Sequence, residues 1–273
     1  MTDVRGRTAL ITGGAAGIGR LLAIELAARG ATPVLWDLDE ERIEPALAEI
    51  RSRTGVTARG FACDVTDRHA VNEVAEQVRS EVGDPDIVVN NAGVVSGSRL
   101  LDTPDTAIER TFAVNTLALY WVTKAFLPSM VSRDRGHVVT IASAAGLVGV
   151  ARQTDYAGSK HAAVGFDESL RVELHQIAPR VMTTVVCPFY IDTGMFEGVH
   201  SRFPRLLPIL HQQDVARSIA TAIERNRRQV ILPPLVRFLP LLRVLPPTAF
   251  DRVMDILGVN VSMEHFTGHK PSQ

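Results

Sequence analysis

The chain has 273 residues, of which 46% are hydrophobic, and its formal net charge is −1. This size and composition suit one large α/β domain. The small net charge gives no overall attraction to nucleic acid or to an anionic membrane, and no apolar run approaches the roughly 18 residues of a spanning helix. The first seven residues are too few and too polar for a secretory signal. Cys63 and Cys187 lie in apolar runs, as expected of core residues in a reducing, cytoplasmic compartment.

The first predicted strand, residues 8–11, runs directly into a glycine-rich turn. Gly13, Gly17 and Gly19 follow with the spacing G-x-x-x-G-x-G, and an apolar helix then extends to about residue 30. Glycines let a backbone approach a pyrophosphate, and a helix N-terminus offers free N–H groups and the positive end of a dipole. A strand, a glycine turn and a helix in this order predict a dinucleotide site.

The second predicted strand, residues 33–36, ends at Asp37, eighteen residues after Gly19. A carboxylate at this place accepts hydrogen bonds from the ribose hydroxyls of adenosine and repels a 2′-phosphate. Ala15 and Ala16 bring no cation into the turn. These observations predict NAD as the cofactor in preference to NADP, with Arg20, just past the turn, as an opposing signal.

Strands and helices alternate through the middle of the chain. We predict strands at residues 56–62, 86–89, 137–141 and 181–186, and helices at residues 67–82, 105–131 and 156–176, the second of them interrupted near Pro128. Repeated βα units imply a parallel sheet with right-handed crossovers. The prediction is a single doubly wound α/β domain of Rossmann type, with a seven-stranded parallel sheet and helices on both faces.

Residues with useful chemistry lie at the carboxyl ends of these strands, where such sheets bind their ligands. They are the glycine turn, Asp37, Asp64, the run from Asn90 to Gly93, Ser143 and Pro188. This coincidence predicts one site that a cofactor and a substrate share. The eight histidines show no spacing typical of metal ligands, so we expect no metal.

Tyr156 precedes Lys160 by four residues, and Ser143 lies thirteen residues upstream of the tyrosine. Four residues are about one helical turn, so the phenol and the ammonium project from the same helix face. An ammonium beside a phenol lowers the pKa of the phenol and makes it a usable proton-transfer group. The Ser143 hydroxyl could hydrogen-bond the oxygen of a reacting carbonyl or alcohol.

The segment from residue 230 to residue 261 is rich in Leu, Val and Pro, with Arg237, Arg243 and Arg252 interspersed. Its prolines predict several short pieces instead of one helix. Two interpretations stay open: a lid or subunit-packing element with a buried apolar face, or an interfacial membrane anchor with arginines at the headgroups. Either suits a lipophilic substrate. The polar tail, residues 264–273, is expected to fray.

From about residue 5 to about residue 233, these motifs resemble those of the short-chain dehydrogenase/reductase family. Asn115, between Val114 and Thr116, matches the family's fourth catalytic position. The resemblance implies that Tyr156 transfers the proton, Ser143 orients the substrate oxygen, Lys160 holds the nicotinamide ribose, and Asn115 positions a water in the proton relay. The bound cofactor would carry the hydride chemistry.

The same resemblance implies a set of cofactor contacts. Thr193 matches the residue that contacts the nicotinamide amide, Asp64 and Val65 would flank the adenine, and Asn90 and Ala92 would support the adenosine. The implied contacts are Gly13, Ala16, Gly17, Ile18, Gly19, Asp37, Asp64, Val65, Asn90, Ala92, Gly93, Tyr156, Lys160, Pro188, Ile191 and Thr193.

One departure from the family pattern lies after the sixth strand, where Phe189 replaces the usual glycine. The stretch from residue 187 to residue 198 is similar to the branch that contains epidermal retinol dehydrogenase and 17-beta-hydroxysteroid dehydrogenases. Members of that branch often carry an N-terminal membrane anchor, and no such anchor is recognised in this sequence. We expect Ser143, Phe189, Met195 and Phe196 to contact the substrate.

We therefore predict an NAD(H)-dependent oxidoreductase that interconverts a hydrophobic alcohol and its carbonyl compound, either a retinoid, a steroid or another lipid. Two alternatives stay open: a ketoreductase of acyl-thioester or polyketide-like intermediates, and a non-catalytic dinucleotide-binding protein. Residues 1–233 form the predicted catalytic domain, with a substrate loop at about 188–212, and residues 234–273 form an extension packed on it. The long helices resemble those that pair in family dimers and tetramers, so we expect a homo-oligomer.

Overall fold

The computed structural model describes residues 2–268, so the first residue of the predicted domain and tail residues 269–273 lie outside the described part. Seven parallel strands form one sheet in the order β3-β2-β1-β4-β5-β6-β7. The strands are Thr8–Thr12 (β1), Thr32–Asp37 (β2), Arg59–Ala62 (β3), Ile87–Asn90 (β4), Gly136–Ile141 (β5), Val181–Pro188 (β6) and Gln229–Leu232 (β7). The predicted Rossmann-type sheet is confirmed.

Helices connect the strands and cover both faces of the sheet. They are Gly17–Ala28 (α1), Glu40–Thr54 (α2), Arg68–Glu81 (α3), Asp105–Phe112 (α4), Ala118–Ser132 (α5), Thr154–Ile177 (α6), Gln212–Glu224 (α7), Leu239–Leu242 (α8) and Pro247–Ile256 (α9). Side chains of α1, α2 and α7 pack on one face, and those of α3, α5 and α6 pack on the other.

Neighbouring residues of β1 enter two separate cores. Leu10 packs in the core under α3, α5 and α6, whereas Ala9 and Ile11 pack in the core under α1, α2 and α7. Successive side chains of a strand point to opposite faces, so a strand that is covered on both faces needs an unbroken apolar run. This requirement explains why the central strands read as continuous hydrophobic segments.

The strand order reverses between β1 and β4, which pair directly along Ala9 and Ile87. After β1 the chain builds outward to β3, and from β4 it builds outward in the other direction to β7. At such a switch point the connections leave in opposite directions, and a crevice opens beyond the carboxyl ends of the two strands. This crevice is the place at which a ligand is expected.

The predicted interruption of the long helix near Pro128 is wrong. Pro128 lies inside α5, on its exposed side, where water can satisfy the carbonyl that the proline leaves free. Phe126 and Met130 anchor the same stretch in the core. The actual interruption is a π-helical turn at Ala113–Leu117, between α4 and α5.

The C-terminal segment begins with a short 3₁₀ helix, Pro234–Phe238, and continues through α8 and α9. As its prolines predict, it is divided into short pieces. Val236, Leu239, Met254 and Val259 are buried in the core on the α6 side of the sheet, so the segment packs tightly on the main body. None of the helices within residues 2–268 combines the length and the hydropathy that a membrane crossing demands.

Helix α6 buries the carboxyl group of Asp167 against the sheet. Asp167 is 1% exposed, and the Thr183 hydroxyl donates a hydrogen bond of 3.3 Å to it. Burial raises the pKa of this carboxyl from 3.8 to about 7, because the charged form loses its hydration. The folded state therefore retains a proton that the unfolded chain releases, and ionisation of Asp167 weakens the fold as the pH rises through this window.

We expect Asp167→Asn to stabilise the protein at pH 8 by about 1–3 kcal/mol, because the amide keeps the acceptor for Thr183 without a buried charge. The gain should shrink as the pH is lowered toward 5, where the unfolded carboxyl still releases its proton but the folded one does not. Urea unfolding at both values measures the difference. Glu168→Gln, on the exposed side of the same helix, is the control, and a variant less stable than wild type at pH 8 would contradict the argument.

Candidate active site

The glycine turn after β1 requires glycine for two different reasons. Gly13 and Gly17 have φ values of 60° and 48°, in the left-handed region that other residues rarely adopt. A Cβ atom on Gly19 would overlap the carbonyl oxygen of Gly13, so the first turn of α1 packs directly against the loop. The backbone is thereby left uncovered at the predicted pyrophosphate position.

The N-terminus of α1 is suited to an anion. Ala16 occupies the N-cap position without a side-chain hydrogen bond, and the first turn, which includes Ile18, contains no acidic residue. The first N–H groups of the helix therefore have no intrahelical partner. The side chain of Thr193 approaches from the loop after β6 and would lie 3.9 Å from a Cβ on Gly17. These residues fit a dinucleotide pyrophosphate.

Thr12 and Asn91 join the ends of β1 and β4. The Thr12 hydroxyl accepts hydrogen bonds from the N–H groups of Asn91 and Ala92, at 3.0 and 3.1 Å. The Asn91 side-chain amide donates to the carbonyls of Thr12 and Gly13, at 2.9 and 3.1 Å. The predicted contact residue Asn90 instead directs its side chain to the Thr123 hydroxyl, 3.0 Å away and buried under α5. Asn91 is thus a site residue that the sequence reasoning missed.

The Asp37 carboxylate lies beside the glycine turn. It accepts hydrogen bonds from the N–H groups of Ala15 and Asp39, at 2.9 and 3.1 Å, and its remaining lone pairs are free for ribose hydroxyls. Arg20, the opposing signal, forms an ion pair with Glu49. A 2′-phosphate near Asp37 would therefore meet a negative charge and an arginine already neutralised by a carboxylate.

The other predicted cofactor contacts lie along the same edge of the sheet. Asp64 is exposed after β3 and accepts from the N–H and hydroxyl of Thr66. Val65 is buried, Pro188 ends β6, and Ile191 pairs with Leu210 in an isolated bridge. Each of these residues lies at the carboxyl end of its strand or in the loop that follows it.

Helix α6 presents Tyr156 and Lys160 to the end of β5. Each residue is 4% exposed, and the Lys160 ammonium donates a hydrogen bond of 2.9 Å to the Ile141 carbonyl. Its nitrogen lies 5.7 Å from the centre of the Tyr156 ring. A Cβ on Gly93 would lie 3.6 Å from the same nitrogen, so the loop after β4 also borders the lysine.

Burial dominates the acid–base properties of this pair. It raises the pKa of the Tyr156 phenol well above its usual range, and the Ser143 hydroxyl opposes part of that rise. Burial also lowers the pKa of the Lys160 ammonium to about 8. Loss of hydration outweighs the other influences on the Tyr156 phenol, and the effect of Lys160 on its pKa stays a prediction. The phenol is therefore protonated at neutral pH and able to donate.

Asn115 lies in the π-helical turn at Ala113–Leu117. Its side chain accepts from the N–H of Val94 and donates to the carbonyl of the same residue, both at 2.9 Å, and it also donates to the Ser159 hydroxyl at 3.0 Å. Asn115 thus ties the loop after β4 to α6 at Ser159, the residue immediately before Lys160. A π turn directs side chains differently from an α turn and is frequent at functional sites.

Asp155 is a second residue that the sequence reasoning missed. It is 4% exposed, and its two oxygens accept hydrogen bonds from Ser96 at 2.8 Å and from Thr111 at 2.9 Å. The carboxylate therefore fixes the first turn of α6, and with it Tyr156, between the loop after β4 and α4. Its position immediately before the tyrosine was the available signal.

An apolar cavity of about 20 Å³, the room of a single water molecule, adjoins Ser143 and Tyr156. The predicted residues Phe189 and Phe196 line it, whereas Met195 does not. The other lining residues are Ala144, Ala145, Val148, Val150, Gln153, Tyr190, Leu207, Leu239 and Val259. Leu239 and Val259 come from the C-terminal segment, so that segment forms one wall.

Aromatic rings connect this wall to Tyr156. Phe196 packs edge-on against Tyr156 and Tyr190, with ring centres 5.9 and 5.1 Å apart. The Tyr190 hydroxyl lies 2.9 Å from the Ser262 hydroxyl of the C-terminal segment, and the Gln153 amide donates to it at 3.4 Å. Closure of the cavity therefore depends on contacts between residues far apart in the chain.

Residues 7–202 match the short chain dehydrogenase family. The chain is 43% identical to epidermal retinol dehydrogenase 2 of Mus musculus, over 98% of this chain and 87% of that protein. It is 40% identical to 17-beta-hydroxysteroid dehydrogenase 13 of Homo sapiens, over 98% and 88% respectively. A crystal structure of a short chain dehydrogenase/reductase from Burkholderia phymatum in complex with NAD superposes with a TM-score of 0.81 at 27% identity, covering 89% of this chain and 95% of that one.

We expect Asn91→Ala to weaken NADH binding about tenfold or more, because two hydrogen bonds that hold the glycine turn are lost. Titration of NADH fluorescence measures the affinity. Asn90→Ala is the matched control: it removes the buried bond to Thr123 and should lower the unfolding temperature while leaving NADH affinity near that of wild type. Equal losses of affinity in the two variants would refute the distinct role of Asn91.

Proposed function

The chain belongs to the short-chain dehydrogenase family and is an oxidoreductase of CH–OH groups that uses a nicotinamide dinucleotide; we propose that its substrate is a hydrophobic alcohol or the corresponding carbonyl compound, either a retinoid, a steroid or a related lipid. The observation that carries this proposal is the apolar cavity against the half-buried Ser143 and the buried Tyr156. Nearly all its walls are aliphatic or aromatic, so a lipophilic molecule loses little hydration of polar groups on entering.

Four residues divide the proposed chemistry. The Ser143 hydroxyl orients the substrate oxygen, and the Tyr156 phenol gives that oxygen a proton during carbonyl reduction and removes it during alcohol oxidation. Lys160 and Asn115 hold the helix and the loop after β4 around the tyrosine. When bound, the dinucleotide supplies hydride transfer at its nicotinamide ring.

The raised pKa of Tyr156 affects carbonyl reduction and alcohol oxidation differently. Carbonyl reduction needs the protonated phenol, which is the form present at neutral pH. Alcohol oxidation needs the phenolate, which accepts the proton of the alcohol, and burial opposes the formation of that phenolate.

NAD(H) is the proposed cofactor in preference to NADP(H). Asp37 supports this choice, since its carboxylate lies at the end of β2 and bonds the N–H of Ala15 in the glycine turn. Arg20 was the observation that favoured NADP(H), and its pairing with Glu49 leaves it less able to bind a 2′-phosphate. A monoanionic carboxylate and a phosphate repel each other strongly at a partly buried site.

Two alternatives were left open, a ketoreductase of acyl-thioester or polyketide-like intermediates and a non-catalytic dinucleotide-binding protein. Lining by Leu207, Leu239 and Val259 suits a lipophilic molecule better than the polar arm of an acyl thioester. The convergence of Asn115, Ser143, Tyr156 and Lys160 argues against a protein that only binds dinucleotide.

We further propose a homo-oligomer formed through α4, α5 and α6. Phe112, Leu117 and Tyr120 are 37–46% exposed on this side, and Gly158 and Gly165 are exposed along α6. Glycines at such positions let two helices approach closely. Ala157 and Ala163, also on α6, are buried within the monomer and are not available for this contact. We also propose that the C-terminal segment contacts a membrane.

We expect Tyr156→Phe to lower kcat by about 10²–10⁴-fold, because the proton-transfer group is lost while the ring remains. The assay follows NADH formation with all-trans-retinol, a steroid alcohol and a simple secondary alcohol in mild detergent. Tyr120→Phe, an exposed tyrosine outside the site, is the control and should retain full activity. Undiminished turnover by Tyr156→Phe, or NADH binding without turnover of any lipophilic alcohol, would overturn the proposal.

We expect Asp37→Asn to reduce the preference for NAD⁺ over NADP⁺, measured as a ratio of kcat/KM values, by about tenfold or more. The substitution removes the charge but keeps an acceptor for the N–H of Ala15. Asp64→Asn is the matched control, because Asp64 also follows a strand but is bonded to Thr66. An unchanged ratio in Asp37→Asn would exclude Asp37 as the determinant.

A further inference from the structure

The C-terminal segment has a second apolar face that points into solvent. Leu235, Phe238, Leu241, Val244 and Leu245 are 39%, 59%, 65%, 87% and 38% exposed. They alternate with Val236 and Leu239, which are buried in the core. A helical segment that needs only one apolar face to pack on a globular body is here apolar on both sides, so burial within the monomer does not explain the outer one.

The loop after β6 adds a similar surface next to it. In residues 198–211, Phe203, Leu206 and Ile209 are about two-fifths exposed. Leu207 of this loop and Leu239 of the C-terminal segment line the same cavity. The two segments also meet at Gly258, where an added Cβ would contact the Arg202 side chain. Both exposed faces therefore flank the substrate cavity.

The charges have one sign in two stretches of these segments, although α9, farther along the C-terminal segment, carries Asp251 and Asp255. Residues 198–211 and 234–250 contain no Asp or Glu, although the whole chain has a net charge of −1. Their arginines, Arg202, Arg205, Arg237 and Arg243, are all exposed. Within residues 2–268 none of the four pairs with a carboxylate. Exposed leucines among unpaired arginines form what we name the apolar–arginine surface.

The charge pattern distinguishes between the molecules that could cover this surface. A second copy docked on it about a two-fold axis would bring arginines against arginines. An anionic bilayer instead offers hydrocarbon to the leucines and phosphates to the guanidinium groups. We propose that the apolar–arginine surface docks on an anionic lipid bilayer and opens the substrate cavity toward it, so that the lipophilic substrate of the proposed function, on which this inference rests, enters from the lipid.

The test uses the full chain and vesicles of phosphatidylcholine, with and without phosphatidylglycerol, in a flotation assay. Wild type should float with the anionic vesicles, and salt should reduce the bound fraction. The double variant Phe238→Glu/Leu241→Glu should lower the bound fraction about tenfold. Ile177→Glu is the control, because this residue is 64% exposed at the end of α6, on the edge of the sheet opposite the site, and it should bind like wild type.

Two further measurements separate this inference from the proposed function. Turnover of a water-soluble secondary alcohol should be equal in wild type and in the double variant, whereas turnover of retinol in anionic vesicles should fall with lipid binding. Flotation without turnover of any alcohol would overturn the proposed function and support the surface. The proposed docking on an anionic bilayer would be overturned if wild type failed to float or if Ile177→Glu lost binding to the same extent as the double variant. It would also be overturned by a double variant that still floats but forms a smaller assembly in light scattering.

Discussion

The crevice of this protein depends on the connection between the ends of β1 and β4. The sheet order reverses there, so the two loops that leave these strands would separate unless something joined them. Thr12 and Asn91 form that join through four hydrogen bonds. This connection also holds the glycine turn, from which α1 begins. The turn and the start of the loop after β4 are therefore positioned together.

Helix α6 uses one face both to place Tyr156 and Lys160 at the crevice and to pack against the rest of the protein. Tyr156 and Lys160 share a helix face with Val164 and Asp167, and all four are at most 8% exposed. The helix therefore supplies chemistry and packing from one stripe. Polar groups on that stripe keep a hydrogen-bond partner each: Ile141 for the lysine and Thr183 for the aspartate. Burial of this kind sets protonation states, since it favours the neutral form of each group.

Local patterns predicted most of the fold and the central part of the site. The glycine spacing, the strand ending in Asp37 and the four-residue step from Tyr156 to Lys160 involve neighbours in sequence, and periodicity reports such neighbours well. Asn91 could not be distinguished from Asn90, because the two differ only in which face of the loop each side chain meets. The π turn at Ala113–Leu117 and the protonation of Tyr156 depend on packing between distant elements. The walls formed by Leu239 and Val259 were beyond prediction for the same reason.

The small volume of the cavity affects how affinity must be interpreted. A space of about 20 Å³ admits one water molecule, so the lipid alcohol of the proposed function could be bound only by a conformer in which the wall of Leu239 and Val259 is displaced. Measured affinity is then the intrinsic affinity multiplied by the population of that conformer. The bond between Tyr190 and Ser262 therefore opposes substrate binding although it stabilises the fold. A change that loosens it would tighten apparent binding without touching the substrate, and thermal stability and substrate affinity would move in opposite directions.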